Sequence, residues 1–266
     1  MKIPQVDLQE VAERNGISLK EVKALIAHIK KGMKPVHKNF QVKEGGSDHK
    51  YTVTRQGIGI LNTEHGQFWQ LDFFLNDRWK KYSVIVKGKM SPDFTPVFDN
   101  PSRVTLRIDS GCESGHKFDD ISCDCRDQLL MAMREIAKIG EGIVIAIPCQ
   151  DGRGMGNPFK LATLFLQDRL RLTTVESASV LTDGGPIDKR TYAGVIAILR
   201  FLRVSQKCEI GLMTNNPHKF HIFAENGYRA SERIPIIIPP THHTRRHLEA
   251  KQLYLGHKDL VSEEEA

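Results

Sequence analysis

The chain has 266 residues, 40% of them hydrophobic and 26% charged, a composition that gives a folded protein with a sizeable core and excludes a disordered or fibrous one. Its net charge of +6 favours an anionic partner, yet the basic residues are scattered in pairs such as Lys80–Lys81 and Arg245–Arg246, without the long block that would single out nucleic acid. The first residues carry Lys2, Asp7, Glu10, Glu13 and Arg14 and no secretory apolar stretch, and no uncharged apolar run approaches the roughly 18 residues of a membrane helix, so a cytosolic location and no membrane partner are expected.

Asp7-x-x-Glu10 and Ser18-x-x-Glu21 are capping-box patterns, each opening a segment with apolar residues at helical spacing. Two short helices are expected, joined near Asn15-Gly16. The Ala12, Gly16, Val22 spacing also fits a helix-turn-helix, but with no third helix evident a packing or dimerisation arm is expected and DNA is not. Gly45-Gly46-Ser47 marks a linker, which divides the chain into a helical extension over 1–50 and a main domain over 51–266.

From residue 51 the texture is β-prone: Gly59–Leu61, Leu71–Leu75, Tyr82–Val86 and Val104–Ile108 are short runs between turn residues. Beyond Cys125 strands and helices alternate. A helical face of Leu129, Leu130, Met133 and Ile136 is followed by strand Ile143–Ile147, helices Phe159–Leu166 and Thr191–Leu202, strand Ile210–Met213, helix Pro217–Asn226 and strand Ile234–Ile238. The pattern predicts a mixed α/β fold with its β-rich part first, and an acidic tail, Glu263–Ala266, that frays.

Five cysteines in a cytosolic protein are not disulfide staples, and a close group of them points to a metal or catalytic site. Cys112, Cys123 and Cys125 supply three thiolates, one fewer than a closed structural zinc site needs, which leaves a position for water whose pKa zinc lowers from 15.7 to about 7. Three buried cysteines, or a four-cysteine site closed by Cys149 or Cys208, are the alternatives. Asp151-Gly152-Arg153-Gly154-Met155-Gly156 follows a strand, and its glycines admit close approach of a ligand that Arg153 would grip, or else form a surface turn. Thr214 to Lys219 opens a helix after a strand, as an anion site or as simple capping. Asp188-x-Arg190, in a Gly/Pro-rich loop, is a candidate catalytic pair or a surface ion pair.

In this order the motifs resemble those of GTP cyclohydrolase II, over about Gly66 to His257 and most clearly in Arg107–Gln128, Gly140–Gly156 and Gly211–Lys219. The resemblance implies a dimeric, β-rich mixed α/β enzyme that opens the imidazole ring of GTP, releases formate and pyrophosphate, and yields the diaminopyrimidinone ribosylamine phosphate of riboflavin synthesis. It implies zinc on Cys112, Cys123 and Cys125, activating water against C8 of the guanine, and magnesium with the triphosphate. It places the phosphate-attacking arginine at Arg190, the proton acceptor at Asp188, and substrate contacts at Arg107, Gln128, Asp151, Gly152, Arg153, Thr174, Thr214 and Lys219. Arginine is a poor nucleophile, so a charge clamp suits Arg190 better.

The chain departs from the family where Leu164 replaces a tyrosine, Gly111 an acidic residue, Asp109 a histidine and Asp151 a glutamate. These changes leave room for a paralogue that stops at a formamidopyrimidine or acts on another nucleotide, as in uracil breakdown, and more remotely for a nucleotide-sensing DNA-binding regulator.

Overall fold

The computed structural model describes residues 4–76 and 80–261, and the expected fraying tail lies outside them. Two helices come first, α1 (Leu8–Asn15) and α2 (Leu19–Gly32), with Gly16 left-handed between them. Ser18 and Glu21 form a reciprocal capping box, while at Asp7 the carboxylate caps only the Gln9 N–H. His28 of α2 stacks on Phe94 at 4.3 Å and so docks the pair on the body of the protein.

The helical part ends at Gly32, well short of residue 50, because β1 (Val36–Glu44) already belongs to the sheet. The expected linker at Gly45-Gly46 is a two-residue hairpin turn joining β1 to β2 (Ser47–Thr63). Both glycines have positive φ, 58° and 80°, which matches the right-handed twist of the flanking strands. The alternation Val36, Phe40, Val42 marks the strand, and the turn signal beside it reads equally as a spacer until its pairing partner is known.

The strands β3 (Gly66–Leu75) and β4 (Lys81–Lys87) continue an antiparallel meander. A small pair, β5 (Lys89–Met90) and β6 (Pro96–Val97), precedes β7 (Arg103–Asp109), and then come α3 (Glu113–Phe118), α4 (Cys125–Ile139) and β8 (Gly142–Ala146). The tight turn α5 (Asp151–Gly154), the helices α6 (Asn157–Arg169), α7 (Thr174–Leu181) and α8 (Ala193–Phe201), and strand β9 (Glu209–Met213) follow. A 3-10 turn at Pro217–Phe220, α9 (His221–Glu225), β10 (Arg229–Ile234) and α10 (Arg245–Leu255) complete the chain. The expected strand Ile234–Ile238 thus lies earlier, and the expected helix Pro217–Asn226 is split.

Among the described residues the main sheet has eight strands in the order β1-β2-β3-β4-β8-β7-β9-β10, antiparallel as far as β8 and parallel from β8 to β10. Alternation along the strands gives the sheet two apolar faces. On one, Leu106, Ile108, Ile143 and Ile145 pack in the same cluster as the fully buried Val195–Leu199 stretch of α8. On the other, Val144 and Met213 meet Ala132, Met133 and Ile136 of α4. Arg107 and Asp109 alternate with Leu106 and Ile108 along β7, and Arg107 faces α4.

Candidate active site

After β7 the chain runs to β8 on one side and later to β9 on the other, so the strand order reverses at β7. Open α/β sheets form their ligand crevice at the carboxyl ends of strands at such a point. Here Ser110 and Cys112 follow β7, Gln150 to Arg153 follow β8, and Thr214 to Lys219 follow β9, and residues from all three loops line one cavity.

Cys112 and Cys123 sulfurs lie 3.6 Å apart, and those of Cys112, Cys123 and Cys125 all fall within 4.8 Å of one another. Cys112 caps α3 and accepts the Gly115 N–H at 3.4 Å, while Cys125 begins α4. Helix starts favour thiolate. Hydrogen bonds from the other two cysteines, together with the Lys160 ammonium 2.6 Å from its sulfur, hold Cys112 far below the usual thiol range. Cys123, sharing its S–H with Cys112, is pushed up to about 11. Sulfurs this close cannot all be anionic without a cation between them, so the donor set fits a soft divalent metal. Cys208 is buried in the core and Cys149 is exposed, and neither joins the cluster. A four-cysteine closed site is therefore not formed.

The same cavity is lined by a set of cations. Lys219 is buried and donates to Ile108 O at 2.8 Å; burial, then Arg107 and Arg190, push its ammonium well below the usual lysine range. Burial, with Arg190 adding, lowers Arg153 to about 10. Arg153 adopts left-handed backbone angles, φ 57° and ψ 44°, strain of a kind that clusters at functional sites, and donates to Thr174 O at 3.0 Å and Oγ1 at 2.9 Å. Gly154, at φ 84°, lets the Lys189–Arg190 backbone pack on the loop: a Cβ there would lie 2.6 Å from Lys189 C. The Lys189 N–H also donates to Arg153 O at 2.8 Å, so the glycine loop and Asp188-x-Arg190 form one unit.

Of the sequence-derived positions, Arg107, Gln128, Asp151, Gly152, Thr174, Thr214, Lys219 and Arg190 all line the cavity with the cysteines and Arg153. Asp188 is not among the lining residues. Its carboxylate accepts Arg190 Nε at 2.9 Å and Arg190 Nη2, and although burial opposes its charge, Arg190 holds it below the usual carboxylate range. Asp151 accepts the Glu113 N–H at 3.0 Å, which ties the loop to the start of α3, and burial raises its pKa.

The departures also gather here. Leu164 forms part of the cavity wall. Gly111 has φ 60°, and a Cβ would sit 2.5 Å from Ile147 O, so no acidic side chain fits this backbone. Asp109 is buried and accepts the Gly111 N–H at 2.9 Å.

Several lining residues carry no motif in the sequence: Lys160 beside Cys112, and His247, Lys251 and His257 from α10 and the segment after it. Asp124 was legible only as the middle of the Cys-x-Cys. The C-terminal residues reach the site through long-range docking, Lys258 N–H to Asn215 O and Lys251 to Asp124, which no local spacing announces.

Thiols suited to a metal share one cavity with Arg107, Arg153, Arg190 and Lys219, the features of a metal-dependent site for an anionic ligand. The family model described as GTP cyclohydrolase II matches residues 54–235. The chain is 36% identical to a GTP cyclohydrolase-2 of Picrophilus torridus over 74% of its own length and 94% of that protein. It is 32% identical to a GTP cyclohydrolase-2 of Streptomyces coelicolor, covering 77% of this chain and 86% of that one. The riboflavin biosynthesis protein RibBA of Phocaeicola vulgatus is 30% identical over 94% of this chain, which spans 54% of that longer protein. The chain belongs to the GTP cyclohydrolase II family and is a hydrolase of that family.

Proposed function

We propose that this protein opens the imidazole ring of GTP, releasing formate and pyrophosphate and leaving the diaminopyrimidinone ribosylamine phosphate, at a zinc ion held by Cys112, Cys123 and Cys125. The observation that carries this reading is the thiol cluster and the buried cations lining one cavity at the ends of three parallel strands. Relatives named GTP cyclohydrolase-2 and RibBA support the substrate and the riboflavin pathway.

Cys112, Cys123 and Cys125 would hold the zinc, which would supply Lewis acidity and activate water for the ring opening. The chain's own residues do the rest. Arg153, Arg190 and Lys219 clamp phosphate oxygens, and they are preorganised because Asp188, Thr174 and the Ile108 carbonyl already hold them. Arg190 acts here as a charge clamp on the departing pyrophosphate, with Asp188 keeping its guanidinium oriented. Gln128 faces the base with one donor and one acceptor. Magnesium accompanies the triphosphate. A homodimer and a cytosolic location, where thiols stay reduced, complete the reading.

Incubating the zinc-loaded protein with GTP and following formate, pyrophosphate and the pyrimidine by mass tests the reading. Unchanged GTP with no bound nucleotide would defeat it. A second reading is favoured by one observation: Leu164 in the cavity wall offers no proton to the opened ring. On that reading the product keeps its formyl group as a formamidopyrimidine, or another nucleotide is the substrate, and the mass of the product distinguishes the two.

A further inference from the structure

Gln128 lies on α4, one turn beyond Asp124, and both ends of its amide are engaged. Its Nε2 donates to Asp124 Oδ2 at 2.5 Å, and its Oε1 accepts from Arg107 Nη2 at 2.9 Å. A carboxylate only accepts and a guanidinium only donates, so the amide has one admissible orientation. Each partner is itself fixed. Asp124 is 4% exposed and its Oδ1 accepts from Lys251 Nζ at 3.2 Å, while Arg107 Nη1 donates to Met213 O at 3.2 Å. Lys251 comes from α10, outside the stretch matched by the family model. The amide keeps one further N–H on Nε2 and one further lone pair on Oε1, and the residue lines the cavity.

We infer that Asp124 and Lys251 are positioning residues that lock the Gln128 amide, so that the site takes a 6-oxopurine nucleotide and rejects a 6-aminopurine one. The inference rests on the GTP reading above and says how the base is chosen. A 6-oxopurine presents an acceptor, O6, beside a donor, N1–H; a 6-aminopurine presents a donor, the amino group, beside an acceptor, N1. A freely rotating amide serves either edge, whereas a locked one serves one and meets the other donor to donor and acceptor to acceptor. Phosphates seated among Arg153, Arg190 and Lys219 keep the base from turning over to compensate.

The test is the affinity of the metal-loaded protein for GTP, ITP and ATP, measured by calorimetry without magnesium, with metal content determined for every variant. ITP shares the 6-oxo edge and lacks the 2-amino group. The wild type is expected to bind GTP and ITP in preference to ATP. Asp124→Asn puts an amide, able to donate or accept, opposite Gln128 Nε2 and leaves Arg107 alone to fix the orientation, so the GTP-over-ATP ratio is expected to fall severalfold, by up to about tenfold, the lower end of one bidentate base contact. Lys251→Met withdraws the support of Asp124 from a different helix and is expected to lower the ratio in the same direction by less. Should Asp124→Asn lose metal, Lys251→Met decides alone.

A wild type that does not discriminate overturns the lock. So does a ratio held within twofold in metal-replete variants, or an equal loss of GTP and ATP affinity, which is what a merely structural role gives. Absence of ring opening by the wild type defeats the GTP reading instead, and the binding ratio still decides the lock.

Discussion

Replacing Gly154 by alanine separates the packing of the glycine loop on Asp188-x-Arg190 from ordinary stability. A non-glycine residue at φ 84° costs about 1–2 kcal/mol by itself. The new Cβ would lie 2.6 Å from Lys189 C and 2.7 Å from Arg190 N, against ordinary contact from 3.4 Å, so 3.4 − 2.6 = 0.8 Å must be opened against backbone. Displacement on this scale at a charge clamp is expected to lower kcat/KM for GTP about 100-fold, since a misplacement near 1 Å costs that much. The combined strain is expected to lower Tm by roughly 5–10 °C. Gly16→Ala is the control: it has φ 64° with nothing within 4 Å of its Cβ, so it carries the strain without the clash and keeps full turnover. Pyrophosphate release at several GTP concentrations, beside thermal melts of both variants, gives the comparison. Turnover by Gly154→Ala within threefold of wild type would refute the argument.

Chelating the metal is expected to abolish ring opening and zinc to restore it, while Cys123→Ser, which removes a direct ligand, is expected to weaken metal binding by at least about the 10–100-fold that loss of an outer partner costs, read by elemental analysis. Leu164→Tyr is expected to shift the product towards complete loss of formate if the formamidopyrimidine reading holds, and mass spectrometry of the product shows it. His247 and His257 are lowered by burial to about 4 and about 3, and His247 Nδ1 accepts the Thr174 N–H at 3.2 Å. Both depressed values mean the unfolded chain binds more protons between its ordinary value near 6.5 and the folded ones, so stability is present above about 6.5 and lost as pH falls towards 4. Tm is therefore expected to drop by several degrees from pH 7 to pH 5, and by less in His247→Asn; a pH-independent Tm would contradict it. Light scattering is expected to give twice the chain mass of 30.1 kDa, with Leu161 and Phe165 of α6, 54% and 62% exposed in the single chain, as an apolar face available to the contact.

The sequence by itself determined what is written at short range. The helix caps at Ser18 and Glu21 stand one helical turn apart, the β-to-α order after Cys125 shows in local periodicity, and the three thiols fall in the single stretch from Cys112 to Cys125, so short-range pattern carries these features directly. The motif order resembled one family, and that family is the one the chain belongs to. Only the tertiary structure decided which residues meet. Gly45-Gly46 is a hairpin turn because β1 finds β2, and the same glycines without that partner have a spacer's composition. Gly154 is required because Lys189 packs against it, and Asp188 stands behind Arg190 because both belong to that packed loop. Lys251 reaches Asp124 across more than a hundred residues, and Lys160 reaches Cys112, because the strand order gathers three loops and α10 at one end of the sheet. Such convergence depends on pairing and docking between distant segments, whose free energy comes from burial of the whole core and leaves no local period in the chain.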